Sequence, residues 1–158
     1  EAIFDIMTEA NTALSRGDIC TAAARFSDAL DWQPELIEAR LSRGRCLRDM
    51  SDAAGAMSDF LKCAQLAPHS PEPHVEIANL FFAWKDYGRA VVHYTDALSL
   101  DPSHAMAMCK RGICHHQRRH SAQALEDLLS AQALDSSIPN IDRYIQMVSS
   151  KNPTRSRR

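Results

Sequence analysis

Apolar and small residues recur along this chain at a single interval of 34 positions. Ala22, Ala56, Ala90 and Ala124 form one column. Four positions on come Phe26, Phe60, Tyr94 and Leu128, and three beyond those come Ala29, Cys63, Ala97 and Ala131. An earlier column reads Ala10, Gly44, Ala78 and Gly112, and Pro34, Pro68 and Pro102 keep the same spacing. Small side chains let two helix backbones approach closely, and a large apolar residue then plugs the gap to the next pair. No alternation of period two competes, so the pattern predicts an all-α repeat.

The punctuation fits helix pairs. The spacing predicts helices over about 3–16 with 19–32, 37–50 with 53–66, 71–84 with 87–100, and 105–118 with 121–134. Gly17, Ser51, Lys85 and Arg119 fall in the turn inside each pair. Asp18, Asp52 and Asp86 follow as N-caps for the second helix, with His120 and Ser121 in that place in the fourth unit. Each column proline lies just past a helix end, where its missing N–H and its restriction of the preceding residue stop the helix. The expected domain is 1–150, with repeats at about 3–36, 37–70, 71–104 and 105–138. A last helix over about 139–150, opened by Pro139, carries Ile141, Ile145 and Val148 on one side and caps the array.

Composition narrows the function. Among 158 residues the formal net charge is -2, so no global basic field draws the chain to nucleic acid or an anionic membrane. The exception is the end, where Lys151, Arg155, Arg157 and Arg158 make 151–158 a basic tail, expected to be disordered. The longest near-apolar stretch, 75–84, holds Glu76 and Asn79 and is too short to cross a bilayer. Five cysteines without a scaffold spacing point to a reducing, cytoplasmic compartment. The chain opens at Glu1 inside a helical run and reads as a piece of a longer protein, with an uncapped face at Ile3, Phe4 and Ile6 through which copies could associate.

These columns resemble the tetratricopeptide repeat family, over about residues 3–136. The third unit is the best copy, with Phe81, Tyr87, Ala90, Tyr94, Ala97 and Leu98 in place. The family tryptophan early in the first helix is absent (Ile6, Arg40, His74 and Met108 hold that column), and Glu9 stands where Leu is usual. The resemblance implies a right-handed α-solenoid whose concave face is lined by the first helix of each pair. It thereby implies a peptide-binding groove of Met7, Asn11, Leu41, Arg45, Arg48, Val75, Glu76, Asn79, Phe82, Lys110 and Ile113, with Phe4, Thr8, Glu38 and Glu72 beside them. An Asn at the position of Asn11 and Asn79 would hydrogen-bond a peptide backbone.

The family's two-carboxylate clamp does not carry over. Taken over repeats 1–3, its five positions fall on Met7, Asn11, Ser42, Glu72 and Glu76, so the two later cations have become acids that repel an acidic tail. Over repeats 2–4 they fall on Leu41, Arg45, Glu76, Met106 and Lys110, which fit no better. The implied function is a scaffold or adaptor holding a protein or peptide segment with mixed charges and apolar anchors. The alternative is a structural subunit packing laterally or end to end in a cytoskeletal or ciliary assembly.

Chemistry is thin. Cys109, Cys114, His115, His116, His120 and His104 offer zinc-ligand atoms in the fourth unit, yet residues 114–116 point in successive directions around a helix and no Cys-x-x-Cys exists. No phosphate loop, nucleophile–base set or carboxylate pair stands out, so neither an enzyme nor a cofactor is expected. Trp32 and Trp84 close helices and are expected to be structural.

Overall fold

The computed structural model describes residues 2–150; the basic tail 151–158 lies outside them. Nine α-helices and no strand occur among the described residues. They are α1 (Ala2–Ser15), α2 (Ile19–Trp32), α3 (Ile37–Asp49), α4 (Ala53–Leu66), α5 (Glu72–Ala83), α6 (Tyr87–Leu100), α7 (Ala105–Gln117), α8 (Ser121–Leu134) and α9 (Ile141–Ser150). The first eight fall within a residue or so of their expected limits. The ninth starts later: Pro139 sits in the preceding turn, where Asn140 takes φ 63°, and Ile141 begins the helix.

Local chemistry sets these ends. Asp18, Asp52 and Asp86 each accept a backbone N–H three residues on, from Thr21, Gly55 and Arg89 at 3.1, 2.9 and 3.2 Å. His120 holds the same place before α8 but makes no side-chain cap bond. The turn column is left-handed throughout, with φ 76° at Gly17, 66° at Ser51, 59° at Lys85 and 64° at Arg119. Gln33, Ala67 and Asp101, each followed by proline, swing to φ between −136° and −128° while their N–H groups still close the last helical turn. Asp135 adopts a similar extended conformation without a following proline, at φ −149°.

The described residues divide into two compact units, the division falling after Leu80, within α5. In the first, α1 packs on α2, α2 on α3 and α3 on α4. Ala10, Ala22, Phe26, Ala29 and Ala39 are wholly buried there. Gly44 shows why its column is small: a Cβ at that point would stand 2.6 Å from the Phe60 ring. In the second unit α6 packs on α7, α7 on α8 and α8 on α9. Tyr94, Ala97, Ala124, Leu128 and Ala131 are fully buried. α9 lays Ile141 and Val148 into that core, with Tyr144 and Ile145 at its margin. Gln132 of α8 donates to Asp142 of α9. Burying each of the four column residues Phe26, Phe60, Tyr94 and Leu128 contributes about 2–3 kcal/mol.

Trp32 departs from expectation. The residue is 69% exposed, so it packs little of the end of α2.

Candidate functional site

The first helices of the first unit carry most of the implied groove residues. On α1, Phe4, Met7, Thr8 and Asn11 follow the i, i+3, i+4, i+7 spacing of one face. With Ile3, Gln33, Leu36 and Glu38 they line an open pocket of about 320 Å³. Met7 leans half-buried on the core, whereas Phe4 is 73% exposed and Asn11 is exposed. Gln33 and Leu36 escaped the sequence reading, which sets Ile3 on an association face rather than in the groove. An apolar Leu36 in the turn behind Pro34 was the available signal.

Farther along, α3 and α5 are joined by an ion network. The carboxylate of Glu76 is buried and accepts from Arg45 Nε at 2.6 Å and from Arg48 Nη1 at 2.7 Å. Arg48 also meets Asp49 at 3.0 Å, and Arg45 lies 3.9 Å from Glu72. Arg45, Arg48, Glu72 and Glu76, each read as facing a ligand, lie against one another. Leu41 is buried and Val75 half-buried, so both serve chiefly as packing beneath this surface. Asn79, on the same helix as Glu76, is half-buried and already engaged in an interaction of its own.

In the second unit Phe82 packs against the core of α7 and α8 and meets Tyr87 edge-on at 5.8 Å. Lys110 Nζ stands 6.0 Å from the Phe82 ring centre, within cation–π reach. Ile113 is buried in the same core. The three are brought together, but as a packed group with little open apolar surface.

Of the zinc-ligand candidates around α7, Cys114, His104 and His115 serve packing or capping, while His120 is exposed. Cys114 is wholly buried, and burial pushes its thiol up to about 12. His104 Nδ1 accepts the Ala107 N–H as the N-cap of α7. His115 is buried with Nε2 3.8 Å from Asp127, and burial lowers its pKa. Phe81 stacks on His93 at 5.5 Å and meets Trp84 edge-on at 5.6 Å.

The tetratricopeptide repeat pattern matches residues 7–71 and 75–138, most of the chain. The chain belongs to the tetratricopeptide repeat family. The repeats of this family are protein–protein interaction scaffolds rather than catalysts, and the chain's fold class is the all-α solenoid of helix-turn-helix units. Among curated relatives, the SGT1 homolog of Bos taurus is 25% identical over 108 residues, covering 65% of this chain and 32% of the relative. The chain thus spans about a third of that relative's length.

Among solved structures, pilF of Pseudomonas aeruginosa superposes with a TM-score of 0.85 at 17% identity, over 97% of this chain and 70% of that one. The first TPR of Spaghetti (RPAP3), bound to the HSP90 peptide SRMEEVD, gives 0.69 at 16% identity, over 73% and 91%. At such identities these likenesses speak to the fold alone. No helix among the described residues is long and apolar enough to cross a membrane.

Proposed function

We propose that this repeat domain is a scaffold or adaptor that holds a protein or peptide segment against the first helices of its repeats. The observation carrying this reading is the 320 Å³ pocket beside α1, where Phe4, Met7, Thr8 and Asn11 stand open to a ligand. An apolar side chain entering it would shed water, while the Asn11 amide offers a donor and an acceptor to the ligand's backbone. Peptide capture in such a groove needs no catalytic group and no cofactor. A reducing, cytoplasmic setting goes with it, since four of the five thiols are buried and all five are free.

The grip is not a carboxylate clamp. Glu72 and Glu76 occupy the later clamp positions, and Glu76 already engages Arg45 and Arg48. An acidic chain terminus would meet the negative charge of Glu72 and Glu76 there and would compete with Glu76 for both arginines. The HSP90 peptide held by the RPAP3 repeat is therefore not the ligand we assign to this chain.

A second reading, lateral or end-to-end packing in a larger assembly, draws on Trp32. Its exposed ring, with Ala2, Ile3 and Gln33, borders a second open pocket at the α1–α2 end. Photo-crosslinking separates the two readings. A benzophenone side chain placed at Phe4 is expected to trap a partner protein, and one placed at Trp32 is not. Trapping at Trp32 alone, above all of a second copy, would favour the packing reading.

A further inference from the structure

Building on that reading of the α1 pocket, we propose that the segment it takes is cationic and apolar, with a Leu-, Met- or Phe-like side chain flanked closely by Lys or Arg. The pocket sets the first half of this specification. Its floor and walls are Ile3, Met7 and Leu36 beneath the exposed Phe4 ring, a volume suited to one or two apolar side chains. Purely polar segments would gain nothing there.

The charge around the pocket sets the second half. Among the described residues Glu38 is the one charged residue lining it, and it is exposed and makes no ion pair with them. Glu35 precedes it by three positions, between the lining residues Gln33 and Leu36. The neighbouring cations are not available to balance them. Arg45 and Arg48 are held by the buried Glu76, with Asp49 and Glu72 alongside. Arg40 and Arg43 are both drawn onto Asp59, and Arg25 onto Glu9 and Asp28. Arg16 and Lys62 are then the remaining cations of residues 1–80, where acidic side chains outnumber basic ones nearly two to one.

An incoming Lys or Arg meets an unspent carboxylate and gains a pairing that costs the protein no existing bond. An incoming Asp or Glu meets repulsion from Glu38. At Arg45 or Arg48 it would compete with Glu76, Glu72 and Asp49, which already surround those arginines with negative charge. Mixed-charge segments, the expectation from sequence, are therefore disfavoured in proportion to their acids.

The test pans a displayed library of random peptides, about 12 residues long, against the whole chain. Enriched peptides are then measured by fluorescence anisotropy at low and high salt. Three variants accompany it: Glu38→Lys, which reverses the rim charge, and Phe4→Ser and Thr8→Trp, two exposed sites whose changes strip or fill the pocket without touching the core. Circular dichroism checks their helicity. We expect Lys or Arg close to an apolar residue in the enriched set, weaker binding at high salt, and a loss of about tenfold or more in each variant.

Enriched peptides that are acidic or indifferent to charge, yet fail on Thr8→Trp, would overturn the cationic inference and leave the groove standing. Peptides that bind all three variants as well as the parent would place binding elsewhere, and both readings would fall. A library that yields nothing counts against both.

Discussion

Arg43 on α3 grips Asp59 on α4 with a two-pronged fork, Nε to Oδ2 at 2.8 Å and Nη2 to Oδ1 at 2.7 Å. Two repeat lengths on, Arg111 of α7 holds Asp127 of α8 in the same way, at 2.7 and 2.8 Å. Each arginine spends Nη1 on a hydroxyl of the preceding second helix, Ser27 or Thr95, at 3.2 Å in both cases. One side chain thus ties three helices, α2–α3–α4 in the first unit and α6–α7–α8 in the second. The first helix pair carries the same contact with its charges exchanged, Glu9 to Arg25 at 3.4 Å. That accounts for the Glu found where the family places Leu.

Burial decides what these contacts contribute. The Asp59 side chain is 4% exposed and that of Arg43 25%, whereas Arg25 and Glu9 are 45% and 61% exposed. Asp59→Ala strands the largely buried guanidinium groups of both Arg43 and Arg40 and should cost about 3 kcal/mol or more. Arg25→Ala, in solvent, should cost no more than about 0.5 kcal/mol. Urea unfolding followed by helicity measures both, and equal losses would show that the fork does not couple the helices.

Much of this was legible in the sequence, and the reason is periodicity. Columns such as Ala22, Phe26 and Pro34 report the same packing event several times over, so the helices and turns could be placed almost to the residue. Asp18, Asp52 and Asp86 announced caps because capping is a local contact. The pairing of Arg45 and Arg48 with Glu76 was not legible, because it joins α3 to α5 across about a repeat of chain. Groove positions could be named from the register, but whether their charges faced a ligand or one another depended on side-chain reach. The Arg43 fork did leave a trace: Arg43-Gly44 with Cys46 recurs as Arg111-Gly112 with Cys114.

Gly44 offers a sharper check on helix approach. Ala is ordinarily the better helix former by about 1 kcal/mol. Here the added methyl would meet Phe60 ring atoms at 2.6 and 2.9 Å, inside a fully buried position. Gly44→Ala should therefore lower stability by about 1–3 kcal/mol despite its propensity gain. Combining it with Phe60→Leu should recover part of the loss. In the fourth repeat, where Gly112 faces Leu128, an added Cβ would stand 3.0 Å from the nearest Leu128 atom, a milder approach than the 2.6 Å at Phe60. Thermal melts of the two single variants and the double variant test it, and a Gly44→Ala protein as stable as the parent would refute close packing there.

The thiols should separate cleanly by reactivity. Cys20 is exposed, while Cys46, Cys63, Cys109 and Cys114 are buried. Burial raises the thiol pKa of all four, to about 11 at Cys63 and about 12 at Cys114. A neutral thiol is a poor nucleophile, and a buried one is out of reach as well. Titration with a disulfide reagent near pH 8 should label Cys20 quickly and the rest only in denaturant. Cys20→Ser should remove the fast phase, and fast labelling of more than one thiol would indicate that the helices open readily.

His115 gives the fourth repeat a dependence on pH whose sign can be worked out. The ring is buried with Nε2 3.8 Å from Asp127 and with His120 6.0 Å away between ring centres, and it feels the charges of Arg111 and Arg118. Burial is the largest influence and lowers its pKa from 6.5; Asp127 opposes it, and Arg111, His120 and Arg118 reinforce it. Below pH 6.5 the unfolded chain takes up a proton at this site that the folded chain resists. Stability should therefore fall as pH drops through 6.5 and level off below the folded-state value. Asp101 and Asp135, held low by hydrogen bonds from Ser103 and Ser137, act only in the more acidic range below 3.8. His115→Gln should flatten the slope just below neutrality while leaving the acid limb unchanged. Urea midpoints of parent and variant between neutral and mildly acidic pH measure this, and a slope that survives in the variant would assign it to another histidine.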